Sequence, residues 1–522
     1  MSAVNTNSAI ASETGLHIRG SLLARNTVLN VAGQVIPLLV GVATMPYVIR
    51  HLGPDRFGLL SIAWMVVGFF AFFDLGIGPA TTKFVAELLG KGETEKLPAL
   101  VWTALVTQSS FGLLAGILVA AASPTLVDRL LKIPPGLRPD AHWVFLILAV
   151  SFPINFAVGS LRGVLAAAQR FDLLNAIGIP SSALGYLIPA GALALGFGLR
   201  GIVLLLVVSQ IVGLGAYFLL CLRLYPALGR ACAFHRSLVR RLLVFGGWVS
   251  VTSTLAPILN NFEKFVAARL LSVGALTFYM PCYSVISKVT IFPSAFAAAL
   301  FPAFSYCGPS TQNSHLLKKL ALYPLKYILL IMVPVTITFL LFGDDILRIW
   351  LGADFAHHSA TVFRILALVF FIHAFAYLPL ASINGLGHPE WKAKLDLMQA
   401  PLFMALSWIL TLKMGLEGVA LAKLCITVVD TICLFIMAKR LVGFSFRELA
   451  SPPLIKSFAV ACIPTVCGLS LVIAPILLTV KLVLFLCSLA LYCFVTWSVA
   501  FDDQDRLILS TSLRTLGGKR AL

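Results

Sequence analysis

Long apolar runs are the feature that most constrains what this chain can fold into. About fourteen runs are long enough to cross the roughly 30 Å hydrocarbon core of a bilayer as helices of about 20 residues. The runs contain Gly and Pro and do not alternate with polar residues, which argues against an outer-membrane β-barrel. Because lipid offers the backbone no hydrogen-bond partner, each run is predicted to be a helix. The predicted spans are 26–49, 57–80, 98–123, 142–166, 175–196, 201–222, 242–268, 275–304, 323–342, 360–383, 397–414, 416–438, 455–477 and 480–500.

The low content of charged residues excludes the common classes of soluble protein. Only 11% of the residues are Asp, Glu, Lys or Arg and 59% are hydrophobic, whereas a soluble domain carries about a quarter charged residues. The net charge of +18 does not indicate a nucleic-acid partner, because the basic residues are scattered between apolar runs. The sequence therefore predicts an all-α, polytopic membrane protein with about fourteen transmembrane helices, and excludes a cytosolic enzyme.

Basic residues in the loops predict the orientation in the membrane. With a cytoplasmic N-terminus, about 25 of the 39 Lys and Arg residues fall on the inner side and about 11 on the outer side. An even number of spans then places the C-terminus inside as well. The first apolar run is too long for a cleavable signal peptide, so it is expected to remain as an anchor.

An internal repeat predicts two similar halves. The turn at 50–58, after span one, resembles the turn at 269–276, after span seven. Gly198-Leu199-Arg200-Gly201 recurs about 220 residues later as Gly415-Leu416-Glu417-Gly418, again at a predicted outer turn. The predicted architecture is two parallel six-helix lobes plus two C-terminal helices. The predicted domains are a cytoplasmic tail (1–25), an N-lobe of helices 1–6 (26–222), a basic cytoplasmic linker (223–241), a C-lobe of helices 7–12 (242–440), helices 13 and 14 (455–500) and a cytoplasmic tail (501–522).

Several stretches resemble a known family of exporters. They are Met45-Pro46-Tyr47-Val48-Ile49-Arg50-His51-Leu52-Gly53, Phe57-Gly58-Leu59, Phe73-Asp74-Leu75-Gly76-Ile77-Gly78-Pro79-Ala80, Asn260-Asn261-Phe262-Glu263-Lys264-Phe265, Phe292-Pro293-Ser294-Ala295 and Leu300-Phe301-Pro302-Ala303-Phe304-Ser305. Together they are similar to the polysaccharide-transporter (O-antigen flippase) branch of the multidrug/oligosaccharidyl-lipid/polysaccharide exporter superfamily. The likeness covers about residues 20–440.

The resemblance implies a V-shaped pair of lobes that works by alternating access on a lipid-linked oligosaccharide. It also implies a place in the bacterial inner membrane, with polysaccharide polymerase and chain-length proteins as partners. The family usually has an acidic–basic pair, most often Asp-Arg, where this chain has Glu263-Lys264. Lys and Arg are not equivalent toward a diphosphate, because Lys offers a point charge and Arg a planar fork of donors.

Three lysines are counted within the spans and are the candidates for cargo binding: Lys264, Lys288 and Lys423. A charge inside the bilayer costs several kcal/mol and normally faces a partner or a hydrated cavity. One helix face of the predicted span twelve carries Lys423, Thr427 and Asp430. This face is either a polar seam between packed helices or part of a cavity. Lys288 lies too deep to reach either surface easily, which favours a cavity.

Other polar residues in or near the spans have two interpretations each. Asn26, Asn30 and Gln34 form one stripe on span one, which either binds sugar hydroxyls or ties two helices together. Glu263 and Lys264 are neighbours that cannot pair with each other, and they mark either a solvated helix end or a functional site. Asp74 either caps a new helical segment or titrates during transport. The candidates for ion coupling are Glu263, Asp430 and Asp74.

No pattern in the sequence indicates catalysis, a metal or a cofactor. A phosphate-binding GxxxxGK[ST] loop is absent, and His357-His358 lacks further ligands at a suitable spacing. The favoured function is therefore a flippase for an isoprenoid-diphosphate-linked oligosaccharide. The alternative is a cation-coupled multidrug-type exporter of the same superfamily. A membrane glycosyltransferase or polymerase is less favoured, because no outer loop holds the acidic cluster that it would need.

Overall fold

The computed structural model describes residues 20–70, 77–168, 170–229, 234–307, 314–445, 447–448, 452–473 and 478–502. Over these ranges the chain forms helices and no strand, which confirms the all-α prediction. Ten helical segments of the described chain are long and apolar enough to cross a membrane, and Leu454–Gly468 is a shorter apolar helix.

Sixteen α-helices make up the described ranges. In chain order they are α1 (Gly20–Leu52), α2 (Pro54–Phe70), α3 (Ile77–Gly90), α4 (Leu97–Thr125), α5 (Arg138–Ala167), α6 (Phe171–Ala194), α7 (Leu199–Leu224), α8 (Arg236–Leu270), α9 (Ala275–Ser287), α10 (Ile291–Cys307), α11 (Ser314–Leu322), α12 (Leu325–Leu351), α13 (Ala353–Gly385), α14 (Pro389–Val442), α15 (Pro452–Ile473) and α16 (Leu478–Val495).

The helices pack in three groups along the sequence. In the first group α4 packs on α5, α1 on α6, and α7 on α5 and α6. In the second group α13 packs on α12 and α14, and α8 packs on α14. The third group is α15 and α16, which pack on each other, with α15 against α12. Small residues allow the close approach that membrane helices need: a Cβ at Gly112 of α4 would overlap the backbone of Pro153 in α5.

The first two groups meet at the end of the molecule that holds the α1–α2 turn, which the loop charges predict to be the outer end. There the Thr277 hydroxyl donates a hydrogen bond to the carbonyl of Pro54. Gly58 lies so close to Val273 that a Cβ on it would overlap the Val273 carbonyl oxygen. The largest apolar core also joins both groups at this end. The two turns of the sequence repeat therefore form the seam between the groups.

Toward the opposite end the apolar cores are separate. One cluster belongs to α3–α7 together with Leu242 at the start of α8. The others belong to α10–α14 and the segments beside them. Apart from the start of α8, which joins the cluster of the first group, the described parts of the two groups share their apolar core at the predicted outer end.

Two predicted spans differ from the observed helices. The span predicted at 275–304 is broken by a 3₁₀ turn at Lys288–Thr290, between α9 and α10. Helix α14 begins at Pro389 rather than 397, where proline at the first position loses no helical hydrogen bond. It reverses at Gly415, whose φ is 60°, so α14 is a hairpin with a first arm (389–414) and a second arm (416–442).

Candidate functional site

A cavity of about 510 Å³ lies among α8, α9, α10, α13 and α14. Its volume is in the range of small-molecule sites, about 300–1,000 Å³. Four lysines and two aspartates are among its lining residues: Lys264, Lys288, Lys392, Lys423, Asp396 and Asp430. We call it the lysine cavity. The structure thus brings together all three lysines counted within the spans, although they are far apart in the sequence.

The helix break between α9 and α10 places Lys288 on the cavity wall. The residue is half-buried and starts the 3₁₀ turn at 288–290. Within the described ranges its ammonium group has neither an acidic partner nor a hydrogen bond. A lysine in such a position attracts an anion or water, and among the described residues Lys288 is the cavity lysine that has neither kind of partner.

Lys264 is held by a side-chain amide and an aromatic ring. Its Nζ donates to Oδ1 of Asn261 at 2.8 Å and lies 3.9 Å from the centre of the Tyr283 ring. A cation over a ring face is stabilised by the quadrupole of the ring. Neither of these two contacts is an ion pair with an acid.

Glu263 forms a buried ion pair with Lys423. Its Oε1 lies 3.7 Å from Nζ of Lys423, and neither carboxylate oxygen has a hydrogen-bond partner among the described residues. Glu263 is fully buried and Lys264 is only 5% exposed. The interpretation of this pair as a solvated helix end was therefore wrong, because α14 packs over this part of α8.

The second arm of α14 carries the polar face that the sequence predicts. Lys423, Thr427 and Asp430 all line the lysine cavity, so this face is not sealed between helices. Lys423 also lies 5.3 Å from the centre of the Phe403 ring on the first arm. The hairpin therefore presents both of its arms to the same cavity.

Sequence reasoning missed Lys392, which is central to the cavity. Its Nζ donates to Oδ1 of Asp430 at 2.6 Å and to Oδ1 of Asp396 at 2.8 Å. The sequence interpretation placed Lys392 and Asp396 in the loop before span eleven, because their charge ended the apolar run. The i, i+4 spacing of a lysine and an aspartate just after Pro389 was a signal of a helix start with an internal ion pair.

Two further polar residues of the cavity wall were missed because isolated polar residues in apolar spans carry no pattern. His373 and Tyr377 lie one turn apart on α13 and both line the cavity. Lys326 also falls within a predicted span, at 323–342, but was not among the three lysines counted there. It is fully buried, 3.8 Å from the centre of the Tyr323 ring, and lies outside the cavity lining.

The remaining predicted site residues are only partly described. Asn26, Asn30 and Gln34 lie on α1, but the contacts of their side chains are outside the described structure. Asp74 lies outside the described residues. In the described part of the chain no group of three or more His, Cys, Asp or Glu side chains could hold a metal ion.

Comparisons with known proteins identify the family of the chain. A family model described as polysaccharide biosynthesis protein matches residues 23–307. A candidate O-antigen transporter of Shigella flexneri is 26% identical over 417 residues, which are 79% of this chain and 96% of that protein.

Two solved structures have the same fold at low sequence identity. The lipid II flippase MurJ in an inward closed conformation has a TM-score of 0.71 at 13% identity, over 91% of this chain and 98% of that one. An inward-facing multidrug resistance MATE transporter of the MOP superfamily has a TM-score of 0.65 at 16% identity, over 79% of this chain and 98% of that one. Since the family model matches more than half of its length, this multi-pass membrane chain belongs to the polysaccharide biosynthesis protein family.

Proposed function

We propose that the protein is a flippase that moves an isoprenoid-diphosphate-linked oligosaccharide from the inner to the outer leaflet of the bacterial inner membrane. The observation that carries this proposal is the lysine cavity, in which four lysines face two aspartates inside a helical membrane protein. The similarity to a candidate O-antigen transporter supports the same cargo class, and the fold shared with a lipid II flippase supports the same kind of movement.

Electrostatics explains why such a cavity suits a diphosphate. Two opposite charges 4 Å apart attract by about 4 kcal/mol at an effective dielectric constant of 20. Lys288 has no acidic partner in the described structure, and Lys264 contacts the Asn261 amide and the Tyr283 ring. These two lysines offer two cations to the cargo. Lysines bind as point charges and can exchange their partner for water, which suits a cargo that must also be released.

In the proposed arrangement the two helix groups are an N-lobe (26–222) and a C-lobe (242–440) that rock about the site. The seam between Gly58 and Val273 closes the outer side, so this conformation receives cargo from inside. Both termini are cytoplasmic in this proposal, and a polymerase and chain-length proteins take over the cargo at the outer face. Polar residues of span one, Asn26, Asn30 and Gln34, complete the cargo pathway.

Two buried acids are the proposed coupling residues. Glu263 and Asp430 are each paired with a lysine, at 3.7 and 2.6 Å, so an arriving diphosphate competes with them for Lys423 and Lys392. The displaced carboxylates then bind a proton or cation, because an unpaired carboxylate is unstable in a buried site. Asp74 is the third candidate. The surplus of lysines disfavours the alternative of a cation-coupled exporter of cationic drugs.

The test is export of surface polysaccharide in a deletion strain that carries a plasmid-borne variant. Lys288→Ala is expected to abolish export and to accumulate the lipid-linked intermediate, because the cavity loses the lysine that has neither an acidic partner nor a hydrogen bond among the described residues. Lys288→Arg is expected to keep at least part of the export, since the charge remains.

The matched control is Lys413→Ala, which removes an exposed lysine outside the cavity lining and is expected to leave export unchanged. Drug susceptibility is measured in the same strains. Normal polysaccharide in the Lys288→Ala strain, with a wild-type amount of protein in the membrane, would contradict the proposed function.

A further inference from the structure

A second cavity, of about 640 Å³, lies among α5, α6 and α7 of the first helix group. Its lining is rich in amide and hydroxyl side chains, and Arg162 is its one charged residue among the described residues. We call it the amide cavity. The polar lining residues used below are Asn155, Asn175, Ser182, Ser209 and Gln210.

The sequence repeat relates the amide cavity to the lysine cavity. Gly198 and Gly415, which mark the repeated turn, are 217 positions apart in the sequence. The same interval connects five lining residues of the amide cavity on α6 and α7 with five lining residues of the lysine cavity on α14. The matched pairs are Asn175 and Lys392, Ile179 and Asp396, Ser182 and Gln399, Gln210 and Thr427, and Gly213 and Asp430. The two cavities are therefore equivalent places in the two halves of the protein.

The chemistry of these equivalent places has diverged. The triad of Lys392, Asp396 and Asp430 in the lysine cavity is replaced by Asn175, Ile179 and Gly213 in the amide cavity. Every ion of that triad is lost, while hydrogen-bonding capacity is kept by Asn175. Among the described residues, the amide cavity thus keeps a single cation, Arg162, where the lysine cavity has four lysines, and it has the volume of a ligand site.

An amide pair gives the amide cavity both donors and acceptors. Nδ2 of Asn155 donates to Oε1 of Gln210 at 3.1 Å and to the carbonyl of Ser151 at 2.9 Å. In the described structure this leaves Oδ1 of Asn155 to accept and Nε2 of Gln210 to donate. A sugar hydroxyl both donates and accepts, so adjacent hydroxyls of a saccharide match this pair. An apolar ligand does not match this pair, because it would leave the two amides without partners.

We propose that the amide cavity is a separate saccharide-binding site, which holds part of the glycan while the lysine cavity holds the diphosphate. This inference rests on the proposed function and assigns the two chemical parts of the cargo to the two halves of the protein. In this proposal the lysine cavity binds by charge and the amide cavity by hydrogen bonding, although the sequence repeat makes the two cavities equivalent.

The test measures binding of two probes to the full-length protein in lipid nanodiscs. The first probe is sugar-free polyisoprenyl diphosphate, and the second is the lipid-linked oligosaccharide extracted from membranes of the host. The double variant Asn155→Leu/Gln210→Leu is expected to weaken binding of the second probe about tenfold, which corresponds to 1.4 kcal/mol, and to leave the first probe within about twofold. Lys288→Ala is expected to weaken both probes.

The single variants Asn155→Leu and Gln210→Leu are measured too, so that a folding defect of the double variant does not decide the result. The control is Ser110→Leu on an exposed position of α4. Equal weakening of both probes, or no weakening of either by the amide variants, would overturn the saccharide site and leave the flippase proposal standing. Failure of the wild type to bind either probe would overturn both.

Discussion

At the scale of single residues, the charges of the lysine cavity differ in how they are compensated. Lys392 is bonded to two aspartates and Lys423 faces one glutamate across 3.7 Å. Lys288 has no such partner in the described structure. A charge inside a membrane protein normally faces a partner or a hydrated cavity, and Lys288 is half-buried on the cavity wall. In the proposed function, Lys288 is therefore the position at which loss of charge is expected to affect cargo binding and to spare the fold.

The pair of Glu263 and Lys423 is expected to affect the fold itself. Glu263→Gln or Lys423→Met alone leaves one buried charge without its ion pair, which is expected to destabilise the protein by about 3–5 kcal/mol. The double variant is expected to lose less than the sum of the single variants, because no unpaired charge remains. Thermal unfolding of the purified protein in detergent gives all three values.

Lys413→Met serves as the control for this cycle, because Lys413 is exposed and its removal is expected to leave the melting temperature unchanged. Strict additivity of the two single effects would show that Glu263 and Lys423 do not interact.

At the scale of elements, the α14 hairpin builds most of the site. Its reversal at Gly415 brings the first arm, with Lys392 and Asp396, beside the second arm, with Asp430. The arms lie so close at the turn that a Cβ at Gly418 would overlap the carbonyl oxygen of Leu410. The close spacing of the two arms therefore depends on the glycine at 418. The ion pairs between the arms depend on that spacing.

Gly418→Ala is expected to destabilise the protein by about 1–3 kcal/mol, because backbone atoms must shift to admit the methyl group. Gly215→Ala on α7 is the matched control, since nothing lies within 4 Å of a Cβ there, and alanine is expected to stabilise the helix by at most about 1 kcal/mol. Thermal unfolding compares the two variants. Equal melting temperatures would contradict the close approach of the two arms.

At the scale of the whole molecule, the two helix groups are held together more tightly at one end than at the other. The seam at the predicted outer end consists of backbone contacts and a shared apolar core. The indole N–H of Trp350 also donates a hydrogen bond to the carbonyl of Val42 across it, at 2.6 Å. At the opposite end, the described contacts between α8 and the first group include the buried side chain of Leu242 and an exposed ion pair of Arg241 with Glu87. Exposed pairs contribute about 0–1 kcal/mol, and the described apolar cores beyond the start of α8 are separate there, so we expect that end to open more easily.

Gly58→Val is expected to force the outer seam apart and to shift the protein toward a conformation open on that side. Spin labels on the exposed residues Arg56 and His357 report the width of the seam by electron–electron double resonance. A longer mean distance in the variant is the expected result. Gly90→Ala, at a position with open space around its Cβ, is expected to leave the distance unchanged, and an unchanged distance in Gly58→Val would contradict the seam.

The sequence by itself determined that this is an all-α membrane protein. It also predicted helices over most of the two α14 arms and singled out three lysines that the structure places on the cavity wall. A helix in lipid must satisfy its backbone within the helix, so local composition is enough to predict it. The repeated turns at Gly198 and Gly415 could be recognised for the same reason, since turn chemistry is local as well.

The tertiary structure decided which side chains share a cavity. The sequence predicts Lys392 in a loop, whereas the structure pairs it with two aspartates. Glu263 could be a solvated helix end by its sequence, whereas α14 packs over it in the structure. The divergence between the lysine cavity and the amide cavity is also a property of packed helices from different parts of the chain. Pairing of charges depends on distances between residues that are remote in sequence, and no local pattern encodes those distances.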